Sequence, residues 1–361
     1  MLVAVVLVST ACFPWSSPTS SPRVGLAVSQ GCLGGADSGS AQFPWSRLRN
    51  PILAYPTLGI RDPAVRLAAG RWHILVTTVT GSAPTWGLGA TTTADLRSWS
   101  PLTTIGQPGV QGLASPDITR RPDGTYVVTY QSDPGEATPP GQAKLYYRTS
   151  PDLVHWSAPA RLMPAVHAQP SDRLIDAALA WTAHGLFLGY KYGPDGDQHF
   201  EIAWSPSSSL TGPWTVVGRP NITVYGDTIE NYQFLPINGI WHVLGTSNNL
   251  DRPWLFSLAG DPAVPKGWLD WSPGRELEVP AEHWNSSPGI NSVNYEQSDG
   301  AYLCDFRRLD GHFYLFYFGA NSLSSYGGWG HTLLGVARST DLVTWQVPCP
   351  TGQVSTPVGC A

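Results

Sequence analysis

The chain has 361 residues, carries a net charge of −5 and is only 13% charged. Its 38 Gly and 33 Pro are poor helix formers, which excludes a helical protein and suits many short strands joined by tight turns. There is no basic run to hold nucleic acid, and no apolar stretch reaches the ~18 residues of a membrane span.

In chain order, the first feature is the apolar run Leu2 to Val8, followed by Ser9-Thr10-Ala11-Cys12 and a Ser/Pro-rich stretch. Residues 1–22 read as an export signal with its linker. Ala11-Cys12 resembles a bacterial lipoprotein cleavage site, with Cys12 as the lipid-anchored residue. The expected location is therefore secreted or cell-surface. Residues 23–50 form an N-terminal tail and 349–361 a C-terminal tail. Export permits disulfides. With Cys12 committed to an anchor, Cys32, Cys304, Cys349 and Cys360 allow three pairings. One pairing closes a short C-terminal loop through Cys349 and Cys360 and ties Cys32 to Cys304. Free buried thiols are the other reading.

Residues 51–348 repeat. One phrase ends at Trp99, Trp156, Trp214, Trp271 and Trp345, at spacings of 57, 58, 57 and 74 residues. Its clearest copies are Asp95-Leu96-Arg97-Ser98-Trp99, Asp152-Leu153-Val154-His155-Trp156 and Asp341-Leu342-Val343-Thr344-Trp345. A second phrase opens on an acid at Asp62, Asp117, Asp176, Glu230 and Asp305, at spacings of 55, 59, 54 and 75. The two ladders keep step through the longer last interval. Turns at Ala69-Gly70, Asp123-Gly124, His184-Gly185, Asn238-Gly239 and Asp310-Gly311 each separate two apolar runs, as hairpins do. Each unit has three or four strands, and one such sheet cannot bury both faces. Five packed radially can. The expected fold is all-β, a five-bladed β-propeller with blades over 57–110, 111–165, 166–222, 223–285 and 286–348.

In a propeller the first strand of each blade lines the channel, so five acids are expected to converge on one mouth. Converging like charges are costly. Glycoside hydrolysis gives them a use, because it needs one carboxylic acid to protonate the leaving oxygen and a second carboxylate to activate water.

On these phrases the chain resembles glycoside hydrolase family 43, with families 62 and 32 as five-bladed relatives, over about residues 50 to 348. Ile60-Arg61-Asp62-Pro63 matches the blade-one phrase, which makes Asp62 the general base. Ala114-Ser115-Pro116-Asp117 matches blade two, with Asp117 in a supporting role. Ile175-Asp176-Ala177 matches blade three, where Asp176 raises the pKa of the acid. Glu230 is the general acid of blade four, although Asn231 and Tyr232 depart from the family phrase. Gly330-His331-Thr332 fits blade five, with His331 in the channel touching a bound calcium through water. The resemblance implies inversion, with the two catalytic carboxyls roughly 6.5–9.5 Å apart. It requires no cofactor, and calcium in the central channel is an optional occupant.

Arg61, Trp86, Asp117, Asn231, Tyr232, Trp329 and His331 are the expected substrate contacts. The substrate is an oligosaccharide or polysaccharide with furanosidic or xylosidic bonds, taken up by a monomer. Family 130 phosphorylases fit less well, since no cluster of basic residues stands out to hold phosphate. A sugar-binding propeller lipoprotein without catalysis is the alternative.

Overall fold

A computed structural model describes residues 32–34, 43–82, 85–106, 112–132, 143–194, 198–247, 252–280, 300–320, 331–349, 353, 355–356 and 359–360. The export segment, Cys12 and Trp329 lie outside them.

The repeats fold as five sheets of antiparallel strands. Blade one holds β2 (Gly59–Ala68), β3 (Arg71–Thr80), β4 (Thr85–Thr93) and β5 (Thr103–Thr104), with β1 (Leu33–Gly34) added parallel to β2. Blade two holds β6 (Leu113–Arg120), β7 (Tyr126–Ser132), β8 (Lys144–Ser150) and β9 (Ala160–Arg161). Blade three holds β10 (Leu174–Thr182), β11 (Gly185–Tyr192), β12 (His199–Ser205) and β13 (Thr215–Gly218). Blade four holds β14 (Ile229–Ile237), β15 (Ile240–Ser247), β16 (Pro253–Ser257) and β17 (Arg275–Glu276). Blade five holds β18 (Ala301–Asp305), β19 (Phe313–Ala320), β20 (Thr332–Ser339) and β21 (Trp345–Gln346). The expected five-bladed β-propeller is the fold.

Both repeated signals have a local physical cause. At Ala69-Gly70 and Asn238-Gly239 both turn residues take positive φ, the geometry of a two-residue hairpin. The Asp-Leu-x-x-Trp phrase is a turn cap between the third and fourth strands. Asp152 Oδ1 accepts the backbone N–H groups of Val154 (2.9 Å) and His155 (2.8 Å), and Asp95 and Asp341 do the same in their blades. The cap places a buried Leu (Leu96, Leu153 or Leu342) under the turn in the left-handed conformation.

The core lies between blades. Leu235, Leu244, Leu303 and Leu315 join blades four and five, and Val127, Leu145, Leu179 and Leu188 join blades two and three. The ring closes through the tail. A Cys32–Cys304 disulfide joins the residue before β1 to the inner strand of blade five, and Leu53 bridges to Leu334 in β20. The disulfide spans a sequence separation of 272 residues, so the chain-entropy model assigns it on the order of 5 kcal/mol. Cys349 is also disulfide-bonded.

Candidate active site

The inner strands of blades one to four share one irregularity. Pairing slips between Arg61 and Ala64, Ala114 and Asp117, Ile175 and Ala178, and Glu230 and Gln233. Inside each slip one residue takes positive φ: Asp62 (50°), Ser115 (50°), Asp176 (56°) and Asn231 (54°). Gly300, at 95°, occupies the matching place before β18. These five residues ring the narrow central channel. The backbone explains four of the five identities, because Asp, Asn and Gly tolerate the left-handed region best; Ser115 is the exception. Gly300 is further restricted, since a Cβ there would lie 2.8 Å from the Asp62 Cα.

The ring corrects the acidic ladder. Asp62 and Asp176 hold equivalent places, but Glu230 stands one residue before the ring position of its blade. In blade two that position belongs to Ser115. Asp117 is instead buried between blades, where its Oδ1 accepts a hydrogen bond from the Tyr302 hydroxyl at 3.2 Å. Burial pushes its pKa up to about 7, against the pull of Arg66. Unlike Asp62 and Asp176, Asp117 lines neither the channel nor the cleft. Asp305 closes the far end of β18 next to the hairpin turn, chelated by Arg307, so five acids do not converge. The shared Pro in Asp62-Pro63 and Ser115-Pro116 was the signal that aligns Asp62 with Ser115.

Above the channel opens a cleft of about 570 Å³, within the range of small-molecule sites. Its lining includes Asp62, Asp176 and Glu230, which come from three blades. The Thr77 hydroxyl donates to Asp62 Oδ2 at 2.5 Å, while Oδ1 has no hydrogen-bond partner among the described residues. Burial lifts the Asp62 pKa to about 6, opposed by Arg61 and Thr77 and assisted by the charges of Asp176 and Glu230. Asp176 is raised to about 6 by burial and then by Glu230, opposed by Lys191, Ser115 and the Asn231 backbone. Lys191 donates to Glu230 Oε2 at 2.7 Å, with side-chain exposures of 2% and 17%.

The other expected contacts divide. Arg61, Trp86 and Asn231 line the cleft, with the Arg61 guanidinium 5.6 Å over the Trp86 ring. Tyr232 does not reach it: the ring is 3% exposed, packs on Phe200, and donates its hydroxyl to the Ile229 carbonyl. His331 leads into β20 with Nε2 2.7 Å from the Tyr55 carbonyl, and lines neither channel nor cleft. No group of three or more His, Cys, Asp or Glu suited to a metal occurs among the described residues. His331 thus stands away from the channel in which the calcium was expected.

Lys191, Arg173, Gln131 and Gln198 were missed, and all line the cleft. Lys191 is found only through pairing, because β11 sets it opposite Ile175, next to Asp176. Arg61, Arg173 and Lys191 also form the basic cluster that the sequence hides, since Arg61 lies more than a hundred residues from the other two, which sit on different segments of blade three.

No protein-family model matches the chain, and no curated protein matches it. Solved structures do match it in fold. A thermostable family-43 glycoside hydrolase is 13% identical with a TM-score of 0.53, covering 85% of this chain and 97% of its own. An α-L-arabinofuranosidase from Podospora anserina, solved with cellotriose, is 16% identical with a TM-score of 0.51, covering 84% and 95%. A structure from the GH130 family of mannoside phosphorylases, described as containing hydrolases of β-1,2 mannosidic linkages in Candida mannan, is 14% identical with a TM-score of 0.51, covering 88% and 94%. The chain is a five-bladed β-propeller, similar in fold to these enzymes of sugar linkages.

Proposed function

We propose that the chain is an exported glycoside hydrolase that cleaves furanosidic or xylosidic bonds with inversion. The observation that carries this is the meeting of Asp62, Asp176 and Glu230 in one cleft, two of them buried with pKa values lifted to about 6. Asp62 is the base. Its unpartnered Oδ1 is placed to take a proton from water, and its lifted pKa makes it a stronger base than an exposed Asp while leaving it ionised at neutral pH. Glu230 is the acid that protonates the leaving oxygen. Asp176 is its like-charged neighbour, raised by burial and by the Glu230 charge. Lys191 fixes the Glu230 carboxyl in place. The Cys32–Cys304 disulfide supports export, because such bonds persist in oxidising compartments.

Hydrolysis of nitrophenyl arabinofuranoside, xyloside and galactofuranoside, with Glu230→Ala and Asp62→Ala beside the parent, tests the reading. Cleavage abolished in both variants, with sugar binding retained, supports it. No cleavage of the panel or of natural polysaccharides, with sugar binding that survives both changes, would favour the binding-protein alternative. Proton NMR of the first-formed anomer tests inversion.

A further inference from the structure

At Tyr225 the turn chemistry and the side chain disagree. The segment before β14 makes a two-residue hairpin, in which Val224 and Asp227 exchange both backbone hydrogen bonds, at 2.9 and 3.0 Å. Its central residues, Tyr225 and Gly226, take φ of 50° and 84°. Such a turn favours Asn or Asp ahead of its Gly, because a bulky side chain strains the left-handed backbone. The Tyr225 ring gains little from burial in return. It is 85% exposed, the most exposed large apolar side chain among the described residues. Strain held for an exposed ring points to contact with something outside the chain.

The ring has a companion. Trp254 of β16 meets it edge to face, with centroids 6.0 Å apart and planes at 86°. Trp254 is partly exposed and packs against the core between blades three and four, which anchors the pair. Strand β17 sets Glu276 opposite Trp254 on the same face, and Arg252 donates to Glu276 Oε1 at 2.9 Å with 33% of its side chain exposed. Two aromatic rings beside a partly exposed Arg–carboxylate pair suit a sugar, whose C–H faces stack on rings and whose hydroxyls both donate and accept. Strand register locates the patch. Thr246 pairs with Glu230 on one side and with Pro253 on the other. Trp254 therefore stands beside the row that holds Glu230, two strand spacings, about 10 Å, outward from it. Tyr225 lies at the same end of blade four, five residues before Glu230.

Building on the glycosidase reading, we propose that Tyr225 and Trp254 form a second sugar subsite outside the cleft, which holds the continuing chain of a polysaccharide while a bond is cut beside Glu230. The test is electrophoresis of the parent, Tyr225→Phe and Tyr225→Asn through gels containing arabinoxylan, arabinan or mannan, with melting curves and nitrophenyl glycoside kinetics alongside. At least one polysaccharide should retard the parent. Its affinity should fall about fivefold in Tyr225→Asn and be kept in Tyr225→Phe, which retains the ring. Asn suits the turn, so Tyr225→Asn should melt no lower than the parent. Its KM for a nitrophenyl glycoside, too short to reach the patch, should be unchanged. Equal retardation of parent and Tyr225→Asn, no retardation in any gel, or a lower melting temperature in Tyr225→Asn would overturn the proposal, the last by making Tyr225 a structural residue. So would dimerisation of the parent that Tyr225→Asn abolishes, which would give this face to a second copy of the chain. Retardation that depends on Tyr225 without any cleavage strikes the glycosidase reading alone, and glycoside cleavage without retardation strikes this one alone.

Discussion

The seam between blades three and four differs from the seams on either side of it. In blades one, two and four, the second-strand residue opposite the slip accepts a hydrogen bond from the next blade's ring residue. Thr77 Oγ1 accepts from the Ser115 N–H (2.8 Å), Gln131 Oε1 from the Asp176 N–H (2.9 Å), and Thr246 Oγ1 from the Gly300 N–H (3.2 Å). Blade three carries Lys191 at that place, and an ammonium cannot accept. It donates to Glu230 instead, while the Asn231 N–H turns to Asp176. Three seams thus serve the ring, and the fourth gives up the shared bond to hold two carboxylates. A repeat supplies a rigid frame, and chemistry enters where the repeat is broken.

The largest effect is expected at the broken seam's reaction partner. Asp62→Asn should lower kcat/KM about 10³-fold, or about 4 kcal/mol of transition-state stabilisation, read on whichever glycoside the panel identifies. In the parent, kcat/KM should fall about tenfold per pH unit below pH 6, where Asp62 takes up a proton.

The same titrations act on stability. Asp62 and Asp176 are lifted to about 6, above the unfolded value near 3.9. The folded state therefore holds these protons more tightly. Their contribution is fully present below about pH 4 and is lost as pH rises through about 6. Melting temperature should fall between pH 5 and pH 7, and Asp176→Asn should flatten that slope.

Lys191→Met removes the cation of a largely buried pair. It should cost about 3 kcal/mol of stability and about 10²-fold in activity, measured by denaturant titration and initial rates. The matched change at an ordinary seam, Thr246→Val, should cost about 1 kcal/mol and leave activity within about twofold. Equal losses in both would erase the distinction between the seams. Between these falls Gly300→Ala, which forces Ala into φ near +95° against Asp62. A loss of about 2 kcal/mol is expected there, with activity reduced through displacement of Asp62.

Five blades were legible in the sequence because each is made by short-range signals. The Asp-Leu-x-x-Trp caps and the Gly turns act over a few residues, so their spacing survives in the chain. The acids were legible in part. Asp62, Asp176 and Glu230 do line one cleft, but Asp117 and Asp305 do not join them. Strand slips move side chains from one face to the other, and a slip leaves no mark in the count of residues between acids. Tyr232 was misplaced for the same reason, one residue beyond Asn231 and turned into the core.

By itself, the sequence determined the all-β class, the number of blades, the hairpin turns and the carboxylates available to them, since all of these follow from local propensity and period. Only the tertiary structure decided which acids face solvent, which residue from the neighbouring blade touches each, and that Arg61, Arg173 and Lys191 stand around one cleft. Those relations depend on strand register and on packing between blades, where residues far apart in the chain become neighbours.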